Sequence, residues 1–378
     1  MPEKHLHIVA FDVPYPPNYG GVIDVFYKIK ALHKEGVGII LHCFEYPGRD
    51  RAEQLNQYCE EVHYYRRKVG LKSALTFKPY IVSSRKSKSM VKRLLEDEYP
   101  ILFEGLHSCY HIDDKRLKGR FKIYRESNIE HRYYYNLFKV DKKIRSKIYY
   151  LFASCKLRYY QRVLKHSSLM LVVSQKDTIY LKKHFKNNKV SYLPSFHANN
   201  EVNCLLGKGD YAIYHGNIEV PENAHAAEFL ANEVFNDMGI PLVIAGMNPP
   251  EHIRKLVEKR SDIRLVANPD DETMFDLIRK AHVNILVTFQ ATGLKLKLLN
   301  TLYKGRFCLV NRKMLNGTML DELCVIGDNV LALKSQLKRL LQYEFTEVEI
   351  DRRKEALKEM YSNEKNAQRL ISLVFKRQ

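Results

Sequence analysis

Short, unbroken apolar runs recur along the chain, and between them apolar residues return every three or four positions. An unbroken run suits a strand buried on both faces; the longer period suits a helix with one apolar side. Their alternation predicts parallel sheets covered by helices. The first strand is expected at His7 to Asp12, the first helix from about Val22 to Lys34, and the next strand at Ile39–Phe44. Further strands are expected at Ile101–Glu104, Phe121–Tyr124 and Leu169–Val173, with a long helical region over about 130–166. The polar, turn-rich stretch Pro194–Asn200 interrupts this series. A second series starts at Tyr211–Tyr214 and continues through Leu242–Gly246, Ile263–Val266, Val283–Val287 and Cys308–Val310. A charged helical tail runs from about Thr346 to Lys376 and ends in the apolar stretch Leu370–Phe375. The fold class is therefore α/β, with a first domain over 1–197 and a second over 198–357.

A chain of 378 residues is too long for one simple core, in keeping with two domains. No apolar run reaches the ~18–20 residues of a membrane span, and the N-terminal apolar stretch is too short for a secretory signal. Seven scattered cysteines include no Cys-x-x-Cys pair, which argues against a zinc site or disulfide framework and for a reducing cytosol. The net charge of +19 changes the picture more. Residues 66–93 hold ten Lys/Arg and no acid, and residues 131–166 hold ten against Asp141 alone, so these two segments account for all of it. A basic surface so confined implies one anionic partner surface. The second segment also carries Tyr133, Tyr134, Tyr135, Tyr149, Tyr150, Tyr159 and Tyr160. Cations interleaved with aromatic residues on a helix suit an anionic membrane, although nucleic acid or plain solvation suits the same composition.

Candidate chemistry collects where strands end. The strand Val283–Val287 leads into a turn at Thr292-Gly293-Leu294, then a helix with Lys295, Lys297 and Asn300, stopped by Gly305. The first N–H groups of such a helix lack internal partners and carry partial positive charge, which suits phosphate. Lysines there oppose the helix dipole, and an anionic ligand such as a diphosphate offsets that cost. The pair Gly20-Gly21 lets a ligand approach backbone just ahead of the first helix. Gly216-Asn217, Gly246 and Asn268-Pro269 occupy equivalent strand ends in the second series. Asp270, Asp271 and Glu272 read as cap and dipole complement of a helix over 272–280 rather than as metal ligands. No Asp-x-Asp pair occurs to bind a divalent cation. His107 follows a strand end, and Ser127 or Asn128 reads as the N-cap of the helix holding Glu130 and His131.

The segment from Gly293 to Gly305 resembles the donor-site helix of family 4 glycosyltransferases of the GT-B fold. Gly293, Lys297, Leu299 and Gly305 match the variant Gly-x-x-x-Lys-x-Leu-Glu-x-x-x-x-Gly. Asn300 stands where the family has a ribose-gripping glutamate, and Thr292 where many members have a second one. The resemblance implies two Rossmann-like domains facing a central cleft, with the C-terminal helix, about 358–378, crossing back onto the first. It implies that Gly216, Asn217, Gly246, Asn268, Pro269, Gly293, Leu294, Lys295, Lys297 and Asn300 bind the donor, a UDP- or GDP-sugar. Lys295 and Lys297 then steady the departing diphosphate, because Pro221-Glu222-Asn223 replaces the cation that many members carry after the Gly216 loop. Gly20, Gly21, Asn128, Glu130 and His131 are implied on the acceptor side, with His107 or substrate phosphate receiving the acceptor proton.

The implied reaction is a metal-independent, retaining hexosyl transfer to a glycan or lipid-linked acceptor, in polysaccharide or lipopolysaccharide assembly. The nucleotide sugar is the substrate and no cofactor is expected. The setting is cytoplasmic, on an anionic inner-membrane surface met through 66–93 and 131–166, with no nucleic acid. Two other classes stay open. A sugar-nucleotide epimerase on the same fold needs more cleft carboxylates and histidines than the sequence identifies. A non-catalytic GT-B protein binding anionic membrane or nucleic acid is favoured by Asn300, Thr292 and the missing cation near Asn223.

Overall fold

A computed structural model describes residues 2–70, 73, 76–141, 143–186, 188–289 and 296–376. The described residues up to 198, together with 360–376, form one compact unit, and those from 199 to 359 form another.

The first unit is built on seven parallel strands in the order β3-β2-β1-β4-β5-β6-β7. They are β1 (Lys4–Val9), β2 (Val37–Glu45), β3 (Glu61–Arg66), β4 (Ile101–Glu104), β5 (Lys122–Glu126), β6 (Leu169–Val172) and β7 (Lys189–Tyr192). The helices are α1 (Gly20–Lys34), α2 (Tyr80–Ser83), α3 (Lys88–Leu94), α4 (Glu130–Val140), α5 (Ile144–Tyr160) and α6 (Gln175–His184). Successive strand residues point to opposite faces. Leu6 and Ile8 of β1 therefore pack with α1, and Val9 packs with Phe103, Met90 and Leu157 on the other side.

The second unit has six parallel strands in the order β10-β9-β8-β11-β12-β13. They are β8 (Ala212–Asn217), β9 (Leu242–Met247), β10 (Ile263–Ala267), β11 (Val283–Leu286), β12 (Phe307–Val310) and β13 (Val325–Ile326). Its helices are α7 (Pro221–Phe229), α8 (Glu251–Glu258), α9 (Asp271–Lys280), α10 (Leu296–Lys304), α11 (Arg312–Leu315), α12 (Val330–Leu340) and α13 (Glu347–Met360). A last helix, α14 (Asn363–Phe375), belongs to the first unit, where its Ala367, Leu370 and Val374 join the core with Val25, Ile29 and Leu32 of α1.

Several boundaries differ from the sequence reading. The first strand begins at Lys4 rather than His7, because Lys4 already pairs with Val37 in the parallel ladder. Strands β3 and β7 lie at sheet edges; their mixed sequences, Glu-Val-His-Tyr-Tyr-Arg and Lys-Val-Ser-Tyr, carry no unbroken apolar run. The helical region 130–166 breaks at Asp141, whose backbone is extended and whose Oδ1 accepts the Lys143 N–H at 2.7 Å. Neither Ser127 nor Asn128 is the N-cap of α4: Ile129 holds that position, and no side chain caps the helix. The expected cap on α9 is present, with Asp270 Oδ1 accepting the Thr273 N–H at 2.7 Å. The charged tail is two helices rather than one. Ser362 stands at the break between them and caps α14 by accepting the Lys365 N–H at 3.2 Å.

Candidate functional site

In each sheet the strand order reverses once, between β1 and β4 in the first unit and between β8 and β11 in the second. Open parallel sheets bind ligands outside the carboxyl ends of strands at such reversals.

In the second unit, β8 ends in His215, Gly216 and Asn217. Gly216 pairs with Gly246 of β9, and a Cβ on Gly246 would lie 1.7 Å from the Gly216 carbonyl oxygen. Only glycine permits that approach. Asn217 Oδ1 accepts the Glu219 N–H at 3.1 Å, and its carbonyl accepts Asn223 Nδ2 at 2.8 Å. Asn223 thereby sits beside the strand end with its Oδ1 turned to α10. Lys297 Nζ donates to that oxygen at 3.0 Å and lies 5.1 Å from the centre of the buried Tyr214 ring. The Lys297 charge on α10 thus lies beside Asn223 at the end of β8. His215 Nε2 lies 3.0 Å from Thr301 Oγ1, and burial, followed by the nearby Lys297 charge, pushes its pKa down to about 3. Glu222 accepts a hydrogen bond from Thr288 just past the end of β11.

The neighbouring loops are pinned to one another. Asn248 and Asn268 both adopt left-handed backbone conformations, which asparagine tolerates better than most residues. The Asn248 N–H donates to Asn268 Oδ1 at 2.7 Å, Asn248 Nδ2 donates to Glu219 at 3.0 Å, and the Asn268 N–H donates to the Gly246 carbonyl at 2.9 Å. Pro269 follows, half-buried. Asn300 Oδ1 accepts Asn199 Nδ2 at 2.9 Å. Gly293, Leu294 and Lys295, with Thr292, lie outside the described residues.

In the first unit, Phe11 leaves β1 and its ring stands 5.2 Å from that of His107, which follows β4. Gly105, in a left-handed conformation, makes the turn that brings His107 back. Gly20 and Gly21 open α1, and a Cβ on Gly21 would lie 2.6 Å from the Phe11 ring. His107 Nδ1 is 3.9 Å from Glu130 Oε1. Burial, with Arg85 and Arg67 adding to it, holds the His107 pKa well below the usual imidazole range. Burial pushes Glu130 up to about 8 against the pull of Arg85. At neutral pH the pair is a neutral imidazole beside a largely protonated carboxyl. Among the described residues, the buried atoms His107 Nδ1 and Asn128 Oδ1 have no hydrogen-bond partner. His131 turns elsewhere: its Nδ1 is 2.9 Å from Gln161 Oε1, and its ring faces Tyr180.

Sequence reasoning missed the groups that brace these ends. Asp12 accepts from Tyr19, from Tyr46 at 3.1 Å and from Arg85 at 3.3 Å, while Arg85 Nε also donates to the Phe11 carbonyl at 2.6 Å. Asp24 receives Arg125 and Lys28, each at 3.0 Å, and Lys28 reaches Glu104 at 2.7 Å, all of them buried. Burial alone would raise the Asp24 pKa; Arg125 and Lys28 hold it below the usual carboxylate range.

No family model matches the chain. Solved structures do. A variant of S. aureus TarM, in complex with Fondaparinux, α-GlcNAc-glycerol and UDP, superposes with a TM-score of 0.68 at 9% identity over 98% of this chain and 100% of its own. A glycosyltransferase from Rickettsia africae gives 0.67 at 11% identity over all of both chains. Anabaena Alr3699/HepE, in complex with UDP and glucose, gives 0.59 at 10% identity over 98% of this chain and 95% of its own. The fold is that of the GT-B glycosyltransferases. Among curated sequences, a Klebsiella pneumoniae chain described as an uncharacterized 44.6 kDa protein in the cps region is 25% identical over 356 residues, spanning 86% of this chain and 88% of its own.

Proposed function

We propose that this chain is a metal-independent glycosyltransferase of cell-surface polysaccharide or lipopolysaccharide assembly. It moves a hexosyl unit from a UDP- or GDP-sugar to a glycan or lipid-linked acceptor with retention of configuration. The observation that carries this is Lys297 Nζ held 3.0 Å from Asn223 at the carboxyl end of β8. The diphosphate gains charge as the anomeric C–O bond breaks, and a fixed cation there favours the transition state over the bound donor. Gly216, Asn217, Gly246, Asn268 and Pro269 shape the donor loops; Gly293, Leu294 and Lys295 complete the phosphate end, and Asn300 addresses the ribose. Its Oδ1 already accepts from Asn199, which leaves its NH2 group for a ribose oxygen.

The acceptor hydroxyl is taken up by the first unit near Gly20, Gly21 and Asn128. Its oxygen bonds the anomeric carbon, and its proton passes to substrate phosphate or to neutral His107. The structural neighbours that hold UDP support the donor class, and the cps-region relative supports the setting. Among the described residues no helix is long and apolar enough to cross a membrane. The basic segments 66–93 and 131–166 instead meet the anionic cytoplasmic face of the inner membrane, where a lipid-linked acceptor resides.

The test is thermal denaturation with UDP, GDP and their common sugars, followed by release of the nucleoside diphosphate in the presence of candidate acceptors. Stabilisation by one nucleotide family is expected. Absence of any shift at millimolar nucleotide overturns the donor reading in favour of a GT-B protein without transfer chemistry, the alternative that Asn300 favours.

A further inference from the structure

Helix α5 has two apolar sides. On one, Leu157 and Tyr160 join the core of the first unit, Tyr160 donates to the Cys109 carbonyl at 2.8 Å, and Ser154 donates to the His131 carbonyl at 2.7 Å. On the other, Ile144, Ile148, Leu151, Phe152 and Tyr159 are all exposed, Ile144 by 75%, Phe152 by 67% and Tyr159 by 71%. At 3.6 residues per turn these five fall within an arc of about 100°. Arg145 and Lys156 border one edge of that arc, and Lys147 and Arg158 the other. A surface helix of a water-soluble domain turns its apolar stripe inward. Here a second stripe faces out between two rows of cations.

The surroundings continue the pattern. Phe77 is fully exposed on a loop held to α5 by Lys156, whose Nζ donates to the Thr76 carbonyl at 3.0 Å. Phe152 borders a mostly apolar cavity of about 140 Å3, lined also by Pro79, Tyr80, Ile81, Tyr134, Tyr149, Ala153 and Leu157, with Lys156 among its walls. Apolar cavities of roughly 150 Å3 take up a benzene-sized apolar guest. The occupant must be hydrocarbon in the stripe and cavity and anionic along the edges. Aliphatic Ile144, Ile148 and Leu151 gain nothing from phosphates or stacked bases, which nucleic acid would offer. A bilayer offers both halves, with lysine and arginine stems reaching from the apolar zone to lipid phosphates.

We propose that α5 lies in the plane of an anionic bilayer, its outer stripe inserted, with the cavity beside Phe152 holding part of one lipid hydrocarbon chain. This rests on the membrane part of the function proposed above. The chain has no tryptophan, so Phe152→Trp installs a single reporter. The full chain is mixed with vesicles of phosphatidylcholine alone, with added phosphatidylglycerol, or with added polyprenyl phosphate, each with brominated acyl chains. A blue shift and quenching with either anionic lipid are expected; phosphatidylglycerol sufficing identifies the chain as bulk lipid, and a requirement for polyprenyl phosphate identifies it as the acceptor's own. Ile148→Glu with Phe152→Glu should weaken vesicle binding by roughly tenfold or more, as expected for removing two inserted apolar side chains. The melting temperature and the nucleotide-induced shift should not change.

Vesicle binding without quenching, abolished by salt alone, overturns insertion in favour of surface adsorption. Loss of RNA binding, or loss of a lipid-free dimer, in the double variant overturns it in favour of those partners. Quenching that persists in a protein unresponsive to nucleotides removes the donor reading and leaves this one standing, so the two fail separately.

Discussion

Replacing Lys297 by alanine removes one cation and its hydrogen bonds from the fold. In the free protein Lys297 donates to Asn223 at 3.0 Å from a half-buried position. A hydrogen bond from a charged donor contributes about 1.5–3 kcal/mol, so the unliganded variant should melt roughly 3–12 °C lower. The nucleotide complex is a different matter. A hydrogen bond between an ammonium and a phosphate oxygen contributes about 1.5–3 kcal/mol, and its loss weakens nucleotide binding by roughly 10- to 150-fold. At a ligand concentration of ~100 times the dissociation constant, binding stabilises the parent protein by about 2.7 kcal/mol. For a unit of this size that is a rise of roughly 5–11 °C. The variant at the same concentration retains only ~0.3–1.4 kcal/mol, a rise of roughly 1–6 °C. The assay is a paired thermal-shift titration with UDP or GDP, taking the difference between liganded and unliganded curves for each protein. Equal nucleotide-induced shifts in parent and Lys297→Ala would refute the assignment of Lys297 to the diphosphate.

Three further outcomes are expected. Glu130 is raised to about 8 in the folded protein, so the native state holds its proton while the unfolded chain releases it near the ordinary value of 4.5. That stabilisation is fully present below 4.5 and is lost as pH rises to 8, at up to about 1.4 kcal/mol per pH unit. Glu130→Gln should flatten this part of the melting-temperature profile, and an unchanged slope would place the titration elsewhere. His107→Asn should lower turnover by about 100-fold or more while leaving nucleotide binding intact, as fits a group that handles only the acceptor proton; equal loss of nucleotide binding would make its role structural. Gly246→Ala should destabilise by about 3 kcal/mol or more, since its Cβ meets backbone at 1.7 Å, and circular dichroism melts read this directly.

What could be read from sequence and what could not follows from the range of the interactions. The central strands were legible because burial on both faces leaves continuous apolar runs, as in Leu169–Val172. Edge strands β3 and β7 face solvent more and resemble loops. Lys297 was legible by its spacing from Gly305, and the sequence alone leads one to expect it to supply the charge that 221–223 lack, but its contact with Asn223, 74 residues away, exists only in the fold. The collision that demands glycine at position 246 exists only once β8 and β9 pair in register. Asp24 and Lys28 stand four apart on α1 and look like an exposed helix pair; only the arrival of Arg125 and Glu104 from two strands makes their burial tolerable. The basic segments were visible in composition. The outward apolar stripe of α5 was hidden, because two apolar sides on one helix cancel the periodicity that reveals either.

The clamp around His197 bears on the order of assembly during synthesis. The His197 N–H donates to Asn363 Oδ1 at 3.1 Å, Asn363 Nδ2 donates back to the His197 carbonyl at 2.7 Å, and His197 Nε2 lies 2.8 Å from the Tyr361 carbonyl. The first unit is thus closed by residues made 164 and 166 positions after His197. Domains fold as units while the chain is being made, generally from the N-terminus onward. Here that order is inverted: the second unit, complete by residue 359, has all its strands before the first unit has received α14. Until then α1 packs on the sheet but lacks the cover that Ala367, Leu370 and Val374 of α14 provide. A ribosome paused between these points carries a finished second unit and a first unit that a chaperone can still recognise.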